Sequence, residues 1–177
     1  MQDEESLVRR AKQHDQEAFA QLYEEYFDKI YRYVTLRMGD RMEAEDITQQ
    51  VFLNAIKAIS SFKWKGVPFS AWLFRIAHNQ VVDCLRKKTK RATATLEESE
   101  VTSDDDPQLI FERKLNIEQL TLATKKLTPA QQEVISLRFA SEMSINQVAK
   151  IMGKSEGAIK ALQHSAIVAL RKELSVA

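Results

Sequence analysis

The sequence of 177 residues is poor in the features that define several classes of protein. Its single cysteine, Cys84, excludes an internal disulfide framework and a cysteine-rich metal site, and it fits a reducing compartment. Only 4 glycines and 3 prolines interrupt the chain, so helix-breaking residues are rare. No apolar run approaches the roughly 20 residues that span a bilayer, and the N-terminus lacks the shape of a signal peptide. These absences predict a helical, cytoplasmic protein without membrane insertion.

The net charge of only +1 conceals four blocks of alternating sign. Residues 1–59 carry −4, residues 60–92 carry +7, residues 93–118 carry −6 and residues 119–177 carry +4. Two basic blocks separated by an acidic one indicate two surfaces for a polyanion, joined by a segment that the polyanion repels.

Apolar residues recur at steps of three and four in three segments of the N-terminal half, which is the pattern of amphipathic helices. The first segment runs from Asp15 to Met38 and the second from Ala44 to Ile59. The third begins at Ser70, whose side chain can cap a helix. The pattern predicts a small bundle of three or four helices over residues 1–91.

The periodicity is lost over residues 92–111, where Ser, Thr and acidic residues predominate, and this composition indicates a flexible acidic linker. Beyond it the pattern predicts further helices near residues 108–126, 129–140, 144–152 and 155–173. The predicted fold is therefore all-α, with two small helical domains, residues 1–91 and residues 112–177, joined by the linker.

The strongest local signal is a helix-turn-helix between Ile145 and Leu162. Ala149 is small enough to lie where two helices cross closely, and Gly153 tolerates the positive φ of a sharp turn. Ile159 and Leu162 then return to the shared core from the second helix. The second helix of such a motif lies in the major groove of DNA. An ordinary helical hairpin with solvated lysines is the alternative reading.

The exposed face of this second helix provides the candidate DNA contacts. The lysines would lie near phosphates and the other residues near base edges. The candidates are Lys154, Ser155, Glu156, Lys160, Ala161 and His164.

A second candidate surface combines aromatic and basic residues. Five of the fourteen aromatic residues fall between Phe62 and Phe74, including both tryptophans, and basic residues continue to Arg91. Aromatic faces among cations suit unstacked bases, because stacking tolerates any sequence while lysines follow the phosphates. Aromatic residues at helical spacing also form cores, so we expect mixed use, with Trp64 the strongest candidate because Lys63 and Lys65 flank it.

Three runs, Ala44–Phe52, Phe69–Asn79 and Leu127–Phe139, followed by the helix-turn-helix, resemble bacterial RNA polymerase sigma factors of the extracytoplasmic-function group. The resemblance implies a promoter-specificity subunit without an active site or cofactor. It implies that the first domain docks on the coiled coil of the polymerase β′ subunit and that the second touches the β flap. An anti-sigma protein is a further implied partner, and the linker would thread toward the RNA exit path or act as a spacer.

The resemblance also implies the role of individual residues. Asp46, Gln49, Gln50 and Phe52 match the polymerase-binding motif. The promoter −10 element would be held by Lys63, Trp64, Lys65, Phe69, Asn79, Asp83, Arg86 and Lys87, and the −35 element by the helix-turn-helix residues. One departure is Ser165, which stands where members of the group commonly carry Arg, so a bidentate contact is lost.

Two other functions are weighed against this one. A free-standing helix-turn-helix regulator would bind duplex DNA without polymerase, and would usually carry a dimerisation helix or ligand pocket, for which the sequence offers no candidate. A nuclease or transposase would need clustered carboxylates for metal ions. The acidic residues lie instead in the linker, at Asp104 to Asp106, or on helix surfaces. We expect Cys84 to be a packing residue rather than a redox sensor.

Overall fold

The computed structural model describes residues 3–65, 67–94 and 119–175, and over these residues the chain is helical without β-strands. The all-α prediction is confirmed. The first unit, residues 3–94, contains α1 (Glu4–Lys12), α2 (Gln16–Met38), α3 (Arg41–Ala58), a 3₁₀ turn (Ile59–Ser61) and α4 (Phe69–Ala94). The second unit, residues 119–175, contains α5 (residues 119–125), α6 (Pro129–Ile135), a π-helical turn (Ser136–Ala140), α7 (Ile145–Met152) and α8 (Glu156–Ser175).

The three long helices of the first unit lie where the periodicity predicts them. Asp15 and Asp40 cap α2 and α3, because each side chain accepts hydrogen bonds from two backbone amides of the following turn. The prediction that Ser70 caps the third helix is wrong, since α4 begins at Phe69 and Ser70 is buried in its first turn. The short helix α1 was not predicted. It buries its apolar residues, Leu7, Val8 and Ala11, in the core of the first unit.

The second unit follows the start and stop signals of the sequence closely. Thr128 forms a capping box with Gln131 at the start of α6, and Pro129 occupies the first helical position. Ser144 and Gln147 form a second capping box at the start of α7. These local hydrogen bonds fix the two helix starts that position the helix-turn-helix.

The predicted acidic linker lies mostly outside the described residues. Its first residues, up to Ala94, continue α4 as helix, and residues 95–118 are not described. The structure adds an arrangement that a flexible linker did not suggest, because the two units share one buried core. Leu137 and Val148 of the second unit belong to the same apolar cluster as Val34 and Phe74 of the first.

Two glycines end helices in the left-handed conformation that glycine adopts with the least strain. Gly39 ends α2 with φ of 75°, and Gly153 ends α7 with φ of 65°. A Cβ on Gly39 would lie 2.8 Å from Cγ2 of Thr121 in α5, whereas a Cβ on Gly153 would meet no atom within 4 Å. Gly39 is therefore both a helix stop and a point of close approach between the units.

Substitution of each glycine by alanine should separate these two effects. Gly153→Ala should lower the free energy of unfolding by about 1 kcal/mol, because it adds only backbone strain. Gly39→Ala should lower it by at least about 2 kcal/mol, because its Cβ also collides with Thr121. Urea denaturation followed by circular dichroism measures both, and equal losses would contradict the close approach.

Candidate nucleic-acid interface

The helix-turn-helix is formed by α7 and α8 as the sequence predicts. Ala149 is buried where the two helices approach, Ile159 is fully buried and Leu162 packs against the same core. Gly153 has the positive φ expected of the turn between them. The structure therefore confirms the local geometry of the motif.

All six candidate residues of this motif are exposed: Lys154, Ser155, Glu156, Lys160, Ala161 and His164. Two of them are also held by local hydrogen bonds. The Ser155 hydroxyl accepts from the Ala158 amide at 3.2 Å, and the Glu156 carboxylate accepts from the Asn146 side chain at 2.9 Å. The turn before α8 and the N-terminal half of α8 thus present two lysines, one imidazole and an oriented carboxylate on an accessible surface, and these groups can contact phosphates and base edges.

Two side chains that the sequence did not single out hold α8 in place. Arg138 donates through Nε to Gln163 at 2.9 Å and through Nη1 to the Met143 carbonyl at 2.8 Å. Gln131 donates to the Ser165 hydroxyl at 3.1 Å. Ser165, which the sequence analysis expects to lose a contact, therefore takes part in a hydrogen bond between α6 and α8.

The loop before α4 exposes the predicted cationic and aromatic residues. Lys63, Trp64 and Lys65 are all at the surface, with the Trp64 side chain 38% exposed and its ring 5.1 Å from that of Phe62. An aromatic face between two lysines provides the chemistry expected for stacking against a base.

Phe69 lies in the core and not at this surface. It is 1% exposed, and its ring is 5.6 Å from that of Tyr26 and 5.8 Å from that of Phe62. Its position as the first residue of α4 turns it inward, so it supports the loop from beneath. In this conformation Phe69 has no surface to offer DNA, contrary to the sequence-based assignment.

The remaining −10 candidates form an exposed strip along α4. Successive residues of the strip are separated by four, three and one positions, so they lie along one side of the helix. The strip consists of Asn79, Asp83, Arg86 and Lys87. Asp83 pairs with Arg86 at 3.7 Å, both in contact with solvent. The strip and the Lys63–Lys65 loop both belong to the basic block of the sequence.

The polymerase-binding candidates divide in the same way between surface and core. Asp46, Gln49 and Gln50 are exposed on α3, whereas Phe52 is 5% exposed and its ring lies 4.7 Å from that of Tyr23. Gln49 reaches the Tyr23 hydroxyl at 3.4 Å. The polar residues are therefore available to a partner, and Phe52 packs the helix that carries them.

The α3 helix also exposes apolar side chains that the sequence analysis did not identify. Met42 is 79% exposed, Leu53 52% and Ile56 45%. With Asp46 and Gln49 they recur at steps of four, three, four and three, which places all five in one stripe. A stripe at this spacing fits a partner helix. The signal available in the sequence was the recurrence of Met42, Leu53 and Ile56 at helical spacing with Asp46 and Gln49.

A buried polar cluster joins the two units, and we call it the Glu133 cluster. The Glu133 carboxylate on α6 accepts from Arg37 Nη1 of α2, with the two side chains 8% and 5% exposed. The Tyr33 hydroxyl lies 2.7 Å and 2.9 Å from its two oxygens, and His78 Nδ1 of α4 lies 3.2 Å away. Burial and the nearby carboxylate raise the pKa of Tyr33 well above its usual value, so the hydroxyl stays a donor.

The described residues lack two features that a metal-dependent nuclease or a membrane protein would need. Nowhere in that part of the chain do three His, Cys, Asp or Glu side chains come together in a way that could hold a metal ion. Of the helices described there, none is both long and apolar enough to cross a membrane. Cys84 is half-buried on α4 and packs against the core.

Comparison with protein families gives two matches, one in each unit. Residues 22–91 match Sigma-70 region 2, and residues 123–172 match Sigma-70, region 4. The first match contains the α3 stripe and the strip on α4, and the second contains the helix-turn-helix.

Two sigma factors are similar to this chain over most of its length. The ECF RNA polymerase sigma factor BldN of Streptomyces coelicolor is 38% identical over 172 residues, which are 95% of this chain and 64% of that protein. This chain therefore spans somewhat less than two thirds of the length of that relative. The ECF RNA polymerase sigma factor SigW of Bacillus subtilis is 33% identical over 94% of both chains.

A solved structure agrees in fold. The sigma factor RpoE of Bartonella quintana, in complex with the anti-sigma factor NepR, superimposes with a TM-score of 0.68 at 24% identity. The match covers 89% of this chain and 97% of that one. The likeness extends over most of both chains and is one of fold.

Alanine substitution should distinguish the core aromatic residue of the −10 surface from the exposed one. Phe69→Ala should lower the free energy of unfolding by about 3–5 kcal/mol, because it leaves a cavity among Tyr26, Phe62 and Trp72. Trp64→Ala should lower it by less than about 1 kcal/mol, because its ring is partly in solvent. Urea denaturation measures both, and a large loss for Trp64→Ala would contradict its assignment to the surface.

Proposed function

Because the chain belongs to the extracytoplasmic-function sigma factors of the sigma-70 family, we propose that it binds core RNA polymerase, recognises the −10 and −35 promoter elements and directs transcription initiation. It assists promoter melting and catalyses no reaction of its own, and the comparisons indicate no enzyme family. The observation that carries the proposal is that one chain exposes three separate surfaces: the α3 stripe, the loop and strip of α4, and the N-terminal half of α8. A free-standing regulator that binds duplex DNA would not need the α3 stripe.

The α3 stripe is the proposed binding site of the β′ coiled coil. Met42, Leu53 and Ile56 supply apolar contact area, and Asp46 and Gln49 between them supply hydrogen bonds that fix the register. A coiled coil presents helices of matching period, so the stripe fits it along several turns.

The proposed binding site of the β flap lies mainly in the second unit. An apolar groove is lined by Leu120, Ile135 and Phe139 and by three residues of the C-terminal half of α8, and Leu36 of α2 in the first unit also lines it. The three residues of α8 are Ile167, Leu170 and Leu174. Phe139 is 52% exposed, which is unusual for a large apolar side chain without a partner. The DNA candidates occupy the turn before α8 and its N-terminal half, so polymerase and DNA can bind this helix at the same time.

The two DNA surfaces differ in the chemistry that they offer. Lys160 and Lys154 are placed for phosphates of the −35 duplex, and Glu156 is placed for a base edge such as the amino group of cytosine. Trp64 between Lys63 and Lys65 is placed to stack on a base of the melted −10 strand, and Asn79 and Arg86 on α4 extend that surface. Duplex reading and strand capture are thus divided between the units.

The remaining assignments follow from the same premise. The first domain is proposed to be residues 1–91, the linker residues 92–111 and the second domain residues 112–177. An anti-sigma protein is a proposed partner, since such a protein would inhibit this chain by covering the surfaces that bind polymerase and DNA. The proposed site of action is the cytoplasm, where bacterial core polymerase and promoter DNA are found.

Run-off transcription with bacterial core polymerase tests the function directly. Core enzyme supplied with this chain should initiate at a defined subset of promoters, and core enzyme alone should not. Trp64→Ala should reduce initiation on closed duplex templates more than on templates already melted at the −10 element. Binding to core without promoter selection, or repression by the chain acting alone on duplex DNA, would refute the proposal.

Gln49→Ala tests the polymerase surface separately. It should weaken association with core polymerase by roughly tenfold, equivalent to about 1.4 kcal/mol, because it removes a polar contact at the centre of the α3 stripe. The matched control is Gln16→Ala, an exposed glutamine in the first turn of α2, which should leave the affinity unchanged. Fluorescence anisotropy of labelled chain titrated with core measures both, and equal affinities would remove Gln49 from the interface.

A further inference from the structure

The Arg138 guanidinium, in the π-helical turn that follows α6, bonds to two other elements of the second unit. Its Nε donates to Gln163 Oε1 on α8 at 2.9 Å, and its Nη1 donates at 2.8 Å to the carbonyl of Met143, just before α7. Arginine carries donors and no acceptor, so the Gln163 atom that faces it must be the carbonyl oxygen. One side chain therefore joins the start of α7 to α8, the two helices of the helix-turn-helix.

The π-helical turn is a firm base for this contact. The Ser141 amide bonds to the Ser136 carbonyl five positions earlier at 3.1 Å, and the Met143 amide bonds to the Leu137 carbonyl at 3.0 Å. Leu137 and Met143 are both buried, and Arg138 holds the second backbone group of Met143. Turns of this kind are rare and are found frequently at functional sites. Arg138 thus extends toward α8 from a backbone that is itself fixed at several points.

The apolar contacts of α8 fix its orientation less closely than this hydrogen bond does. Ile159 is fully buried and Leu162 packs against the same core, but attraction between apolar surfaces has no preferred direction. A hydrogen bond weakens steeply when its angle changes, and one with a charged donor is about twice as strong as a neutral one. The bond from Arg138 to Gln163 therefore restrains α8 against rotation about its axis and against sliding along α7.

Gln163 lies at the boundary between the buried side of α8 and its candidate DNA face. It is half-buried, it directly precedes the exposed His164, and the exposed Lys160 lies three positions earlier. Residues three positions apart lie on the same side of a helix, so any displacement of Gln163 moves Lys160 with it. Side chains of a binding site must be held within about 0.5 Å of their productive positions. The restraint on Gln163 is therefore also a restraint on the groups that contact DNA.

We propose that Arg138 is a positioning residue for −35 recognition, and that it sets the orientation in which α8 enters the major groove by holding Gln163 and the Met143 carbonyl. This inference rests on the proposed function. In this role Arg138 acts through α8 and makes no contact with DNA itself. Its loss should therefore reduce the discrimination between −35 sequences and leave the sequence-independent attraction to phosphates in place.

Run-off transcription by core polymerase with the full chain, on two matched templates, tests this role. One template carries a promoter that the wild-type chain selects, and the other carries the same promoter with its −35 element replaced. The ratio of the two initiation rates is the −35 discrimination factor. Arg138→Leu should lower this factor by at least about fivefold, the loss expected when one base contact is misplaced. An unchanged factor would overturn the proposal, because a chain that is merely less stable loses rate equally on both templates.

Three further variants define the interaction. The matched control is Arg9→Leu, which removes an exposed arginine paired with Glu5 on α1 and should leave the factor unchanged. Gln163→Leu removes the acceptor at the other end of the bond and should also lower the factor, which keeps the test available if circular dichroism shows that Arg138→Leu does not fold. The double variant should lose no more than Arg138→Leu alone, because both changes break the same interaction. Additive losses would overturn the proposal, since Arg138 would then act independently of Gln163.

The salt dependence of promoter binding separates positioning from a direct phosphate contact. Core polymerase carrying the wild-type chain or Arg138→Leu is titrated with a labelled promoter fragment at several salt concentrations. If Arg138 contacted a phosphate itself, its loss would reduce the slope of log affinity against log salt by about one, and this result would overturn the proposal. We expect the two slopes to agree within about 0.3.

Amide hydrogen exchange in the full chain without polymerase gives a measure that does not depend on transcription. Arg138→Leu should accelerate exchange in residues 160–164 of α8 and leave α3 unchanged, because it releases only the restraint on α8. Unchanged exchange in α8 would overturn the proposal even where the wild-type chain directs transcription. If the wild-type chain fails in run-off transcription on every template while exchange behaves as expected, the proposed function fails and the restraint of α8 by Arg138 stands.

Discussion

One buried carboxylate organises the arrangement of the whole molecule. Glu133 lies in a helix of the second unit, and its partners, Arg37, Tyr33 and His78, come from two helices of the first. A charge with 8% of its side chain exposed is tolerable only where such partners meet it, so its position sets how α6 lies against α2 and α4. The apolar core that the units share then packs around a geometry already defined by polar contacts.

The parts that could be predicted from the sequence are those that depend on local interactions. Periodicity located α2, α3 and α4, and Thr128-Pro129 and Gly153 marked helix limits that the structure places at the same residues. Such signals act within a few residues, where hydrogen bonds and backbone conformation determine the outcome. The short helix α1 was missed because its nine residues hold few apolar side chains, and it depends on packing against α2 for stability. The contact of Arg37 with Glu133 joins residues 96 positions apart, and no local pattern announces it.

The candidate site could be predicted by segment more accurately than by side chain. The sequence assigned Phe52 and Phe69 to binding surfaces together with their polar neighbours, and the structure buries both rings. A large aromatic side chain near a functional surface usually gains more from burial than from exposure, so it supports the surface from below. The converse error concerned α3, where Met42, Leu53 and Ile56 are exposed although their apolar character favours burial. Hydropathy ranks residues by their average tendency to be buried, and an exposed apolar stripe departs from that average.

The near-zero net charge acquires a physical meaning once the surfaces are located. The basic residues lie in the segments that carry the α4 strip and α8, while the acidic ones concentrate in the segment with the α3 stripe and in residues 93–118. A chain of net charge +1 has little long-range attraction for DNA, so its affinity depends on bringing both basic surfaces onto the same duplex. Under the proposed function, this charge balance makes DNA binding by the free chain weak, so strong binding requires a polymerase partner that holds both basic surfaces on the duplex.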